Sequence, residues 1–244
     1  DTPKSKQPST WAMLKNAASN RSLISIIVAS ILMLLAQLTI QSMANYVYPN
    51  YYNSPKAQAA STFLMLGGMS VAAAIAKPLA RRFGKTEISA ATNALAALIS
   101  LGLYFFRPAN VWVYVAIQTL NWLGLGVFAM VSWALITDVI DDAEVKNGIR
   151  EDGTVYALYS FARKLGQAAS AGLTGGLLTI IGYDQTTAFE PSVINGIYSI
   201  SALVPALGFG LLAAVLWWWY PLRKAVVERN VATLKRKRER GNQE

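Results

Sequence analysis

Six long apolar segments constrain the fold of this chain more than any other feature. They span residues 23–48, 61–79, 88–106, 111–137, 155–181 and 193–220, and each is long enough to cross the roughly 30 Å hydrocarbon core of a bilayer as an α-helix. A helix satisfies its own backbone hydrogen bonds, as a chain in lipid must. We therefore expect an all-α polytopic membrane protein, with a six-transmembrane-helix bundle (22–220) between an N-terminal segment (1–21) and a basic tail (221–244).

The composition argues against a catalytic site. The chain contains neither Cys nor His, so it has no thiolate, it lacks the commonest metal ligand, and it lacks the side chain whose ordinary pKa is near neutrality. No pair of acidic residues lies within an apolar segment. We therefore expect that the chain is not an enzyme and has no catalytic residue, bound metal or cofactor.

Positive charges are distributed unevenly among the connections between these segments. Of the 22 Lys and Arg residues, 18 lie in or at the edge of alternate connections that include both chain ends, two lie in the other connections, and two lie inside the fifth segment. Cytoplasmic connections carry such an excess, so we expect a plasma-membrane protein with both termini in the cytoplasm. The net charge of +9 then reflects topology and contact with the lipid bilayer, and we expect a solvated tail near anionic headgroups, with no nucleic acid bound.

Two adjacent cations, Arg163 and Lys164, lie inside the fifth segment. A charge at mid-depth in a membrane costs at least a few kcal/mol, so Lys164 requires a carboxylate partner or a water-filled cavity. Spacings of three or four place a polar face on this helix, with Lys164 near its centre. The other members of the face are Tyr156, Ser160, Gln167, Ala171 and Thr174. Snorkelling is the less favoured interpretation of Lys164, and for Arg163 a functional role, snorkelling and an ion pair remain open.

Two other patterns have structural interpretations. Ala168, Gly172 and Gly176 form a ridge of small residues beside the polar face, which predicts that another helix packs closely there. Aromatic residues cluster near the ends of the first and last segments, as in the interfacial belts of membrane proteins. They are Tyr46, Tyr48, Tyr51 and Tyr52 at one side and residues 217–220 at the other.

Polar and aromatic side chains on the first and fourth segments are candidates for sugar contacts. They are Gln37, Gln41 and Asn45 on the first segment, and Gln118, Asn121 and Trp133 on the fourth. Amides both donate and accept hydrogen bonds, which suits a ligand rich in hydroxyl groups. Hydrogen bonding between packed helices explains the amides equally well, and packing or lipid contact is the more usual role of such a tryptophan.

Charged residues at one end of the bundle predict a gate. Asp138 and Asp141 lie one turn apart at the helix end, in the predicted loop after the fourth segment (137–153), which also contains Arg150. The predicted loop between the second and third segments (77–85) contains Arg81 and Arg82. Ion pairs that form in one state and break in another would close this side of the protein. Ordinary charged loops, with screened pairs worth under about 1 kcal/mol, are the alternative.

Three stretches resemble the glycoside–pentoside–hexuronide family of cation–sugar symporters, within the major facilitator superfamily. They are NRSL (20–23), DVIDDAEVKNGIR (138–150), and YSFARKLGQA (159–168) with the following IGY (181–183). Within that family the chain is most similar to xyloside (isoprimeverose-type) and glucuronide carriers, through ISALVP (200–205) and WYPL (219–222). The match covers essentially the whole chain, but only as the C-terminal half of the family's pattern.

The resemblance implies twelve helices in two six-helix bundles, with the sugar between them. The six segments would be helices seven to twelve, residues 1–21 the end of the central cytoplasmic loop, and the partner an N-terminal six-helix half that carries the cation-binding carboxylates. By the same resemblance, Lys164 and Ser160 lie beside the sugar and cation sites, and Asp138, Asp141 and Arg150 belong to the cytoplasmic gate. Ala129 stands where the melibiose permease pattern has Trp, which puts a melibiose-like sugar contact in doubt.

The predicted function is therefore the C-terminal half of a secondary active symporter. Such a protein couples uptake of a glycoside, of the xyloside/pentoside or glucuronide class, to a H⁺ or Na⁺ gradient by alternating access. Lys164, Ser160, Tyr156, Gln167 and Arg163 are the predicted coupling residues. A truncated, non-transporting membrane fragment or assembly partner is the alternative, and the sequence leaves open the coupling cation, the glycoside and the oligomeric state.

Overall fold

The computed structural model describes residues 19–148, 150 and 152–241, and the chain forms seven α-helices within them. They are α1 (Arg21–Tyr46), α2 (Pro55–Phe83), α3 (Lys85–Phe106), α4 (Val111–Asn147), α5 (Asp152–Ile180), α6 (Pro191–Ala214) and α7 (Lys224–Gly241). Helices α1 and α6 each continue into a π-helical turn, Val47–Tyr51 and Val215–Trp219. No strand occurs in these ranges, and the predicted all-α fold is confirmed.

Polar caps begin several of the helices, and glycines end two of them. The side chains of Asn20, Ser54 and Asn110 accept hydrogen bonds from free backbone N–H groups in the first turns of α1, α2 and α4. Gly84 (φ 102°) separates α2 from α3, and Gly148 (φ 73°) ends α4, in backbone conformations that residues with a Cβ rarely adopt. The connections are short, so consecutive helices alternate in direction across the bundle.

Five helices in the described part of the chain are long and apolar enough to cross a membrane. They are α1 with its π turn (Arg21–Tyr51), α2, α3, α4 and α6 with its π turn (Pro191–Trp219). The sixth predicted span, α5, has 29 residues and is about 43 Å long, but its most apolar stretch is less apolar than those of the other five because Arg163 and Lys164 interrupt the helix. A multi-pass membrane protein is indicated, with one helix poorly suited to lipid alone.

The spanning helices pack in two layers. In the front layer α1 packs on α5 and, less extensively, on α4, while α4 packs on α2, so that α5 and α2 lie at the two edges. In the back layer α6 packs on α1 and α3, and α3 also packs on α4. The most apolar part of α4 is 67% buried, whereas that of α2 is only 17% buried. The side of the front layer that faces away from α3 and α6 is called the open face below.

Small residues allow the closest helix contacts. A Cβ on Gly126 of α4 would lie 2.6 Å from the Cβ of Ala72 on α2, and one on Gly208 of α6 would lie 2.9 Å from the Cβ of Ala36 on α1. Such separations are below van der Waals contact, so neither position accepts a larger side chain without movement of a helix. Close approach at small residues is the usual basis of helix packing in membranes.

The predicted aromatic belts are correct only in part. Tyr48 is 2% exposed, and its ring packs on that of Tyr114 at 5.8 Å. Tyr114 belongs to a cluster with Tyr51, Tyr52 and Tyr198, in which neighbouring ring centroids lie 4.5–6.4 Å apart. This end of the bundle is called the tyrosine end. The belt interpretation is wrong for Tyr48 and also for Tyr220, which is 2% exposed, because burial inside the protein keeps both side chains away from the lipid. The exposed tryptophans at 217–219 do match a belt.

The opposite end, where α1, α3, α5 and α7 begin, is called the basic end. The tail there was expected to be solvated, but residues 224–241 form α7, which packs on α4. Leu234 is 4% exposed, and the Nδ2 of Asn230 donates to Asp142 Oδ1 at 3.1 Å. Asp142 also accepts from Ser22 Oγ and Lys146 Nζ. One buried carboxylate therefore joins α1, α4 and α7.

Candidate functional site

The predicted polar face of α5 lies on the open face of the bundle. Tyr156, Ser160, Lys164 and Gln167 are all exposed. They follow one another at spacings of three or four, so they share one side of the helix. Thr174, which was predicted to extend this face, is 6% exposed and turns into the bundle. The exposed polar side of α5 therefore ends before Thr174.

Lys164 lies near the middle of α5 without a partner. It is 12 residues beyond Asp152, the first residue of the helix, or about 18 Å along the axis. Its ammonium group forms no hydrogen bond or ion pair with any residue that the structure describes. The carboxylate partner that would stabilise a cation at this depth is therefore not provided by the described part of the chain.

Arg163 faces two aromatic rings instead of an acid. Its guanidinium carbon lies 5.7 Å from the ring centroid of Trp133 on α4 and 5.8 Å from that of Tyr159, within the range of cation–π attraction. Trp133 also contacts Tyr156, at 6.1 Å between ring centroids. Three predicted site residues, Trp133, Tyr156 and Arg163, thus meet in one cluster between α4 and α5.

Tyr159 belongs to this cluster, and the sequence reasoning missed it. Its ring meets Trp133 edge to face at 5.3 Å, and its hydroxyl accepts a hydrogen bond from Ser30 Oγ of α1 at 2.9 Å. The ring is fully buried and ties α1, α4 and α5 together. The available signal was the spacing from Tyr159 to Arg163, which are four residues apart and therefore neighbours on the helix surface.

The ridge of small residues does not pack within the described chain. Ala168, Gly172 and Gly176 are exposed, and a Cβ on either glycine would meet nothing within 4 Å. The predicted close contact with another helix is therefore not made within the described part of this chain. Contact between α5 and α1 is instead made around Gly166, where a Cβ would lie 3.2 Å from Leu34.

Three predicted sugar-contact residues do line a common cavity. Gln41 and Asn45 of α1 and Gln118 of α4 border a volume of 120 Å³ between α1, α2 and α4. Gln58 of α2, which was not predicted as a site residue, donates to Asn45 Oδ1 at 2.9 Å. Hydrogen-bonding amides from three helices thus converge near the tyrosine end.

The other two predicted amides lie elsewhere. Asn121 is 1% exposed and donates to Ser100 Oγ on α3 at 3.1 Å and to Gln118 Oε1 at 2.6 Å. Hydrogen bonding between helices is therefore the interpretation that its geometry favours. Gln37 is half-buried and does not border the 120 Å³ cavity.

The predicted gate carboxylates lie on helix and not in a loop. Helix α4 extends to Asn147, so it carries Asp138 and Asp141. Asp138 is 6% exposed and pairs with Lys85 of α3 at 2.6 Å. Lys85 is the last residue of the segment 77–85 in which the cationic side of the gate was predicted.

Arg150 is surrounded by acids. Its guanidinium pairs with Asp141 (2.8 Å), Glu144 (2.9 Å) and Asp152 (2.8 Å). The hydrogen bonds that Arg150 donates to these three carboxylates raise its pKa above the ordinary value. Glu144 and Asp152 were not predicted as members of this cluster, although both lie within six residues of Arg150 in the sequence.

Arg81 and Arg82 do not join either cluster. Both are exposed, and neither pairs with a carboxylate in the ranges that the structure covers. Arg82 instead lies over the ring of Phe83, at 5.2 Å. The same ranges contain no group of three or more acidic residues arranged to hold a metal ion.

Relatives of the chain include symporters and a carrier protein homolog. Residues 1–224 match the family profile described as MFS/sugar transport protein. The chain is 26% identical over 211 residues to the uncharacterized symporter YjmB of Bacillus subtilis, covering 86% of this chain and 46% of the relative. It is 31% identical over 222 residues to the glucuronide carrier protein homolog of Escherichia coli, covering 88% and 47%.

A third relative is the inner membrane symporter YicJ of Escherichia coli, at 33% identity over 157 residues, covering 64% of this chain and 34% of the relative. The chain spans about half the length of the curated relatives it matches. The names of these relatives describe carriers and symporters and not enzymes, as expected from the composition. With a family profile matched over most of its length, this chain belongs to the MFS/sugar transport protein family of the major facilitator superfamily.

Proposed function

We propose that this chain is the C-terminal half of a secondary active symporter. It couples uptake of a glycoside, of the xyloside/pentoside or the glucuronide class, to a H⁺ or Na⁺ gradient, and it works by alternating access. The observation that carries the proposal is the exposed polar face of α5, with Lys164 unpaired among the described residues. The glucuronide carrier homolog and the two symporters among the relatives support this class of transport.

Lipid alone is a poor surrounding for the polar face of α5. A cation at the bilayer centre costs at least a few kcal/mol even when the side chain can snorkel. From Lys164 each end of α5 is about 18 Å or more away, which exceeds the reach of a lysine side chain. A cavity between two bundles would supply water, and carboxylates on the second bundle would supply the missing partner.

The ridge on α5 supports a second bundle by a separate argument. Ala168, Gly172 and Gly176 are exposed on a helix at the edge of the front layer, and ridges of this kind let two helices approach closely. At the opposite edge, α2 is similarly uncovered. We infer that an N-terminal six-helix half covers the open face, so that α1 to α6 are helices seven to twelve of the whole transporter.

The sugar would lie on the open face, where aromatic and amide groups are available. The rings of Trp133 and Tyr156 offer apolar surfaces beside the guanidinium group of Arg163. The amides of Gln41, Asn45 and Gln118 offer donors and acceptors nearer the tyrosine end. In this proposal Lys164 couples sugar binding to cation binding, because the carboxylate of the other half that pairs with Lys164 also belongs to the cation site.

The basic end would be cytoplasmic, with both termini on that side of the plasma membrane. The excess of Lys and Arg at this end supports the orientation. The pair of Lys85 with Asp138 and the cluster around Arg150 join helix ends there. Such pairs can hold one access state closed and break in the other.

Uptake into vesicles tests the proposal. A labelled β-xyloside and a glucuronide are offered under an imposed proton or sodium gradient, to this chain alone and to this chain expressed with the N-terminal halves of its relatives. The proposal predicts uptake only when a half is present, and a full-length relative serves as the positive control. Uptake by the chain alone would contradict the assignment of a missing half.

A non-transporting membrane fragment is the second candidate. It is favoured by one observation, that the chain spans about half the length of its relatives. If no N-terminal half restores uptake although each co-purifies with the chain, this second candidate replaces the symporter.

A further inference from the structure

A second cavity opens at the basic end, apart from the polar face of α5. It has a volume of 590 Å³ and lies between α2, α3, α4 and α7. Its apolar walls come from the membrane-spanning helices α2 and α4, and they are formed by Ala73, Ala76, Ala80, Met130, Val131 and Ala134. This cavity is called the basic groove.

Two free cations lie at the basic groove. Lys77 and Arg81 border it from α2, and since they are four residues apart they lie on the same side of the helix. Both are exposed, and neither forms a hydrogen bond or ion pair within the described ranges. The pair is therefore available to a ligand.

The remaining charged groups of the basic groove are already engaged. Lys85 pairs with Asp138 at 2.6 Å. Lys224 donates to the carbonyl oxygen of Arg82 at 3.0 Å and lies 4.0 Å from Glu228. Four cations thus face two carboxylates, and the two cations in excess are those on α2.

A ligand that fits this site has an anionic group and an apolar chain. The free cations attract an anion, while the alanine wall of α2 offers no donor or acceptor and suits hydrocarbon. Basic pockets between membrane helices bind anionic headgroups in this way. We propose that the basic groove binds an anionic phospholipid, with its phosphate at Lys77 and Arg81 and an acyl chain along Ala73 and Ala76.

The assignment does not depend on transport activity. A soluble anion would leave the apolar walls unused, and a covering protein segment would need two carboxylates of its own at the same point. A phospholipid uses the apolar walls and supplies its own anionic phosphate. Its headgroup also lies at the right level, since the basic end is at the level of the headgroups when α2 and α4 span the bilayer.

Native mass spectrometry of the full chain in detergent, titrated with dioleoyl phosphatidylglycerol, tests the proposal. The variant Lys77→Ala/Arg81→Ala is expected to bind the lipid at least about 10-fold more weakly, because each cation at a membrane surface contributes about a factor of five. The matched control, Arg236→Ala/Arg240→Ala, removes two exposed, unpaired cations at the same spacing from α7. Its affinity should stay within about twofold of the wild type.

A second variant separates the acyl chain from the charge. Ala73 is exposed on the wall of the basic groove, so Ala73→Trp fills the space for the chain and leaves both cations in place, and it should also weaken phosphatidylglycerol binding. Unchanged binding in Lys77→Ala/Arg81→Ala would overturn the proposal. Equal binding of dioleoyl phosphatidylcholine, or displacement of the lipid by inorganic phosphate at matched concentration, would do the same.

Discussion

Replacing Lys164 by alanine should abolish coupled uptake without preventing membrane insertion. Lys164 lies about 18 Å along α5, and its ammonium has no partner among the described residues. We therefore expect its partner to be a carboxylate on the other half. Removing the cation leaves that carboxylate buried and unpaired, at a cost of about 3–5 kcal/mol. At about 1.4 kcal/mol per tenfold change, gradient-driven uptake by the paired halves should fall at least about 100-fold.

The assay is the initial rate of labelled glycoside uptake into vesicles, with the amount of inserted protein measured in parallel. Insertion should be retained, because Lys164→Ala makes α5 more apolar. Lys56→Ala is the matched control, since Lys56 is an exposed lysine at the tyrosine end with no partner in the described chain. It should transport normally. Normal gradient-driven uptake by Lys164→Ala would refute the reasoning.

Three further predictions concern the gate, the packing and the aromatic cluster. Asp138→Asn removes the ionic partner of Lys85, so the gate should open more readily and cysteines placed at the basic end should be labelled faster. An unchanged labelling rate would rule out a gating role for this ion pair. Gly126→Ala puts a Cβ 2.6 Å from the Cβ of Ala72 and should destabilise the bundle by about 1–3 kcal/mol in thermal unfolding. The control Gly175→Ala, whose Cβ meets nothing within 4 Å, should leave the stability unchanged. Equal melting temperatures of the two variants would contradict the packing of α2 on α4. Trp133→Ala should raise the KM for the glycoside about 5- to 30-fold, as for loss of a ring contact worth about 1–2 kcal/mol, and the exposed Trp112→Ala should leave the KM unchanged; the reverse result would exclude Trp133 from the sugar site.

The sequence predicted the spanning helices because their apolar length is a strong and local signal. It predicted the exposed polar side of α5 for a similar reason, since spacing alone determines which side chains share a face. Its error at Thr174 arose because spacing does not tell how a helix is rotated against its neighbours. That rotation depends on contacts such as Gly166 with Leu34.

The helical structure of two elements at the basic end could not be predicted from the sequence. The charged stretch after residue 137 was interpreted as a loop because polarity suggested exposure, yet α4 continues through it to Asn147. The tail was expected to be solvated for the same reason. Tertiary contacts hold both elements in place. Asp142 is 3% exposed and accepts a hydrogen bond from Asn230 of α7, and burial of this kind overrides local polarity.

The sequence pattern also does not predict which charged residues pair with one another. The segment 77–85 contains four cations of similar character, and nothing in their spacing distinguishes Lys85 from Arg81 or Arg82. Lys85 pairs with Asp138 because it begins α3, which packs on α4. The ridge on α5 illustrates the converse, since its pattern predicted a helix contact that the described chain does not contain.

Cross-linking from the ridge tests most directly the central claim that a second bundle covers α5. The chain contains no cysteine, so Gly172→Cys provides a single attachment point for a photoreactive maleimide, and Leu207→Cys, exposed on α6 at 59%, provides the control. With a co-expressed six-helix N-terminal half, the account predicts a cross-linked product with that half from Gly172→Cys and none from Leu207→Cys. Products formed only with a second copy of this chain, or equally from both positions, would contradict it.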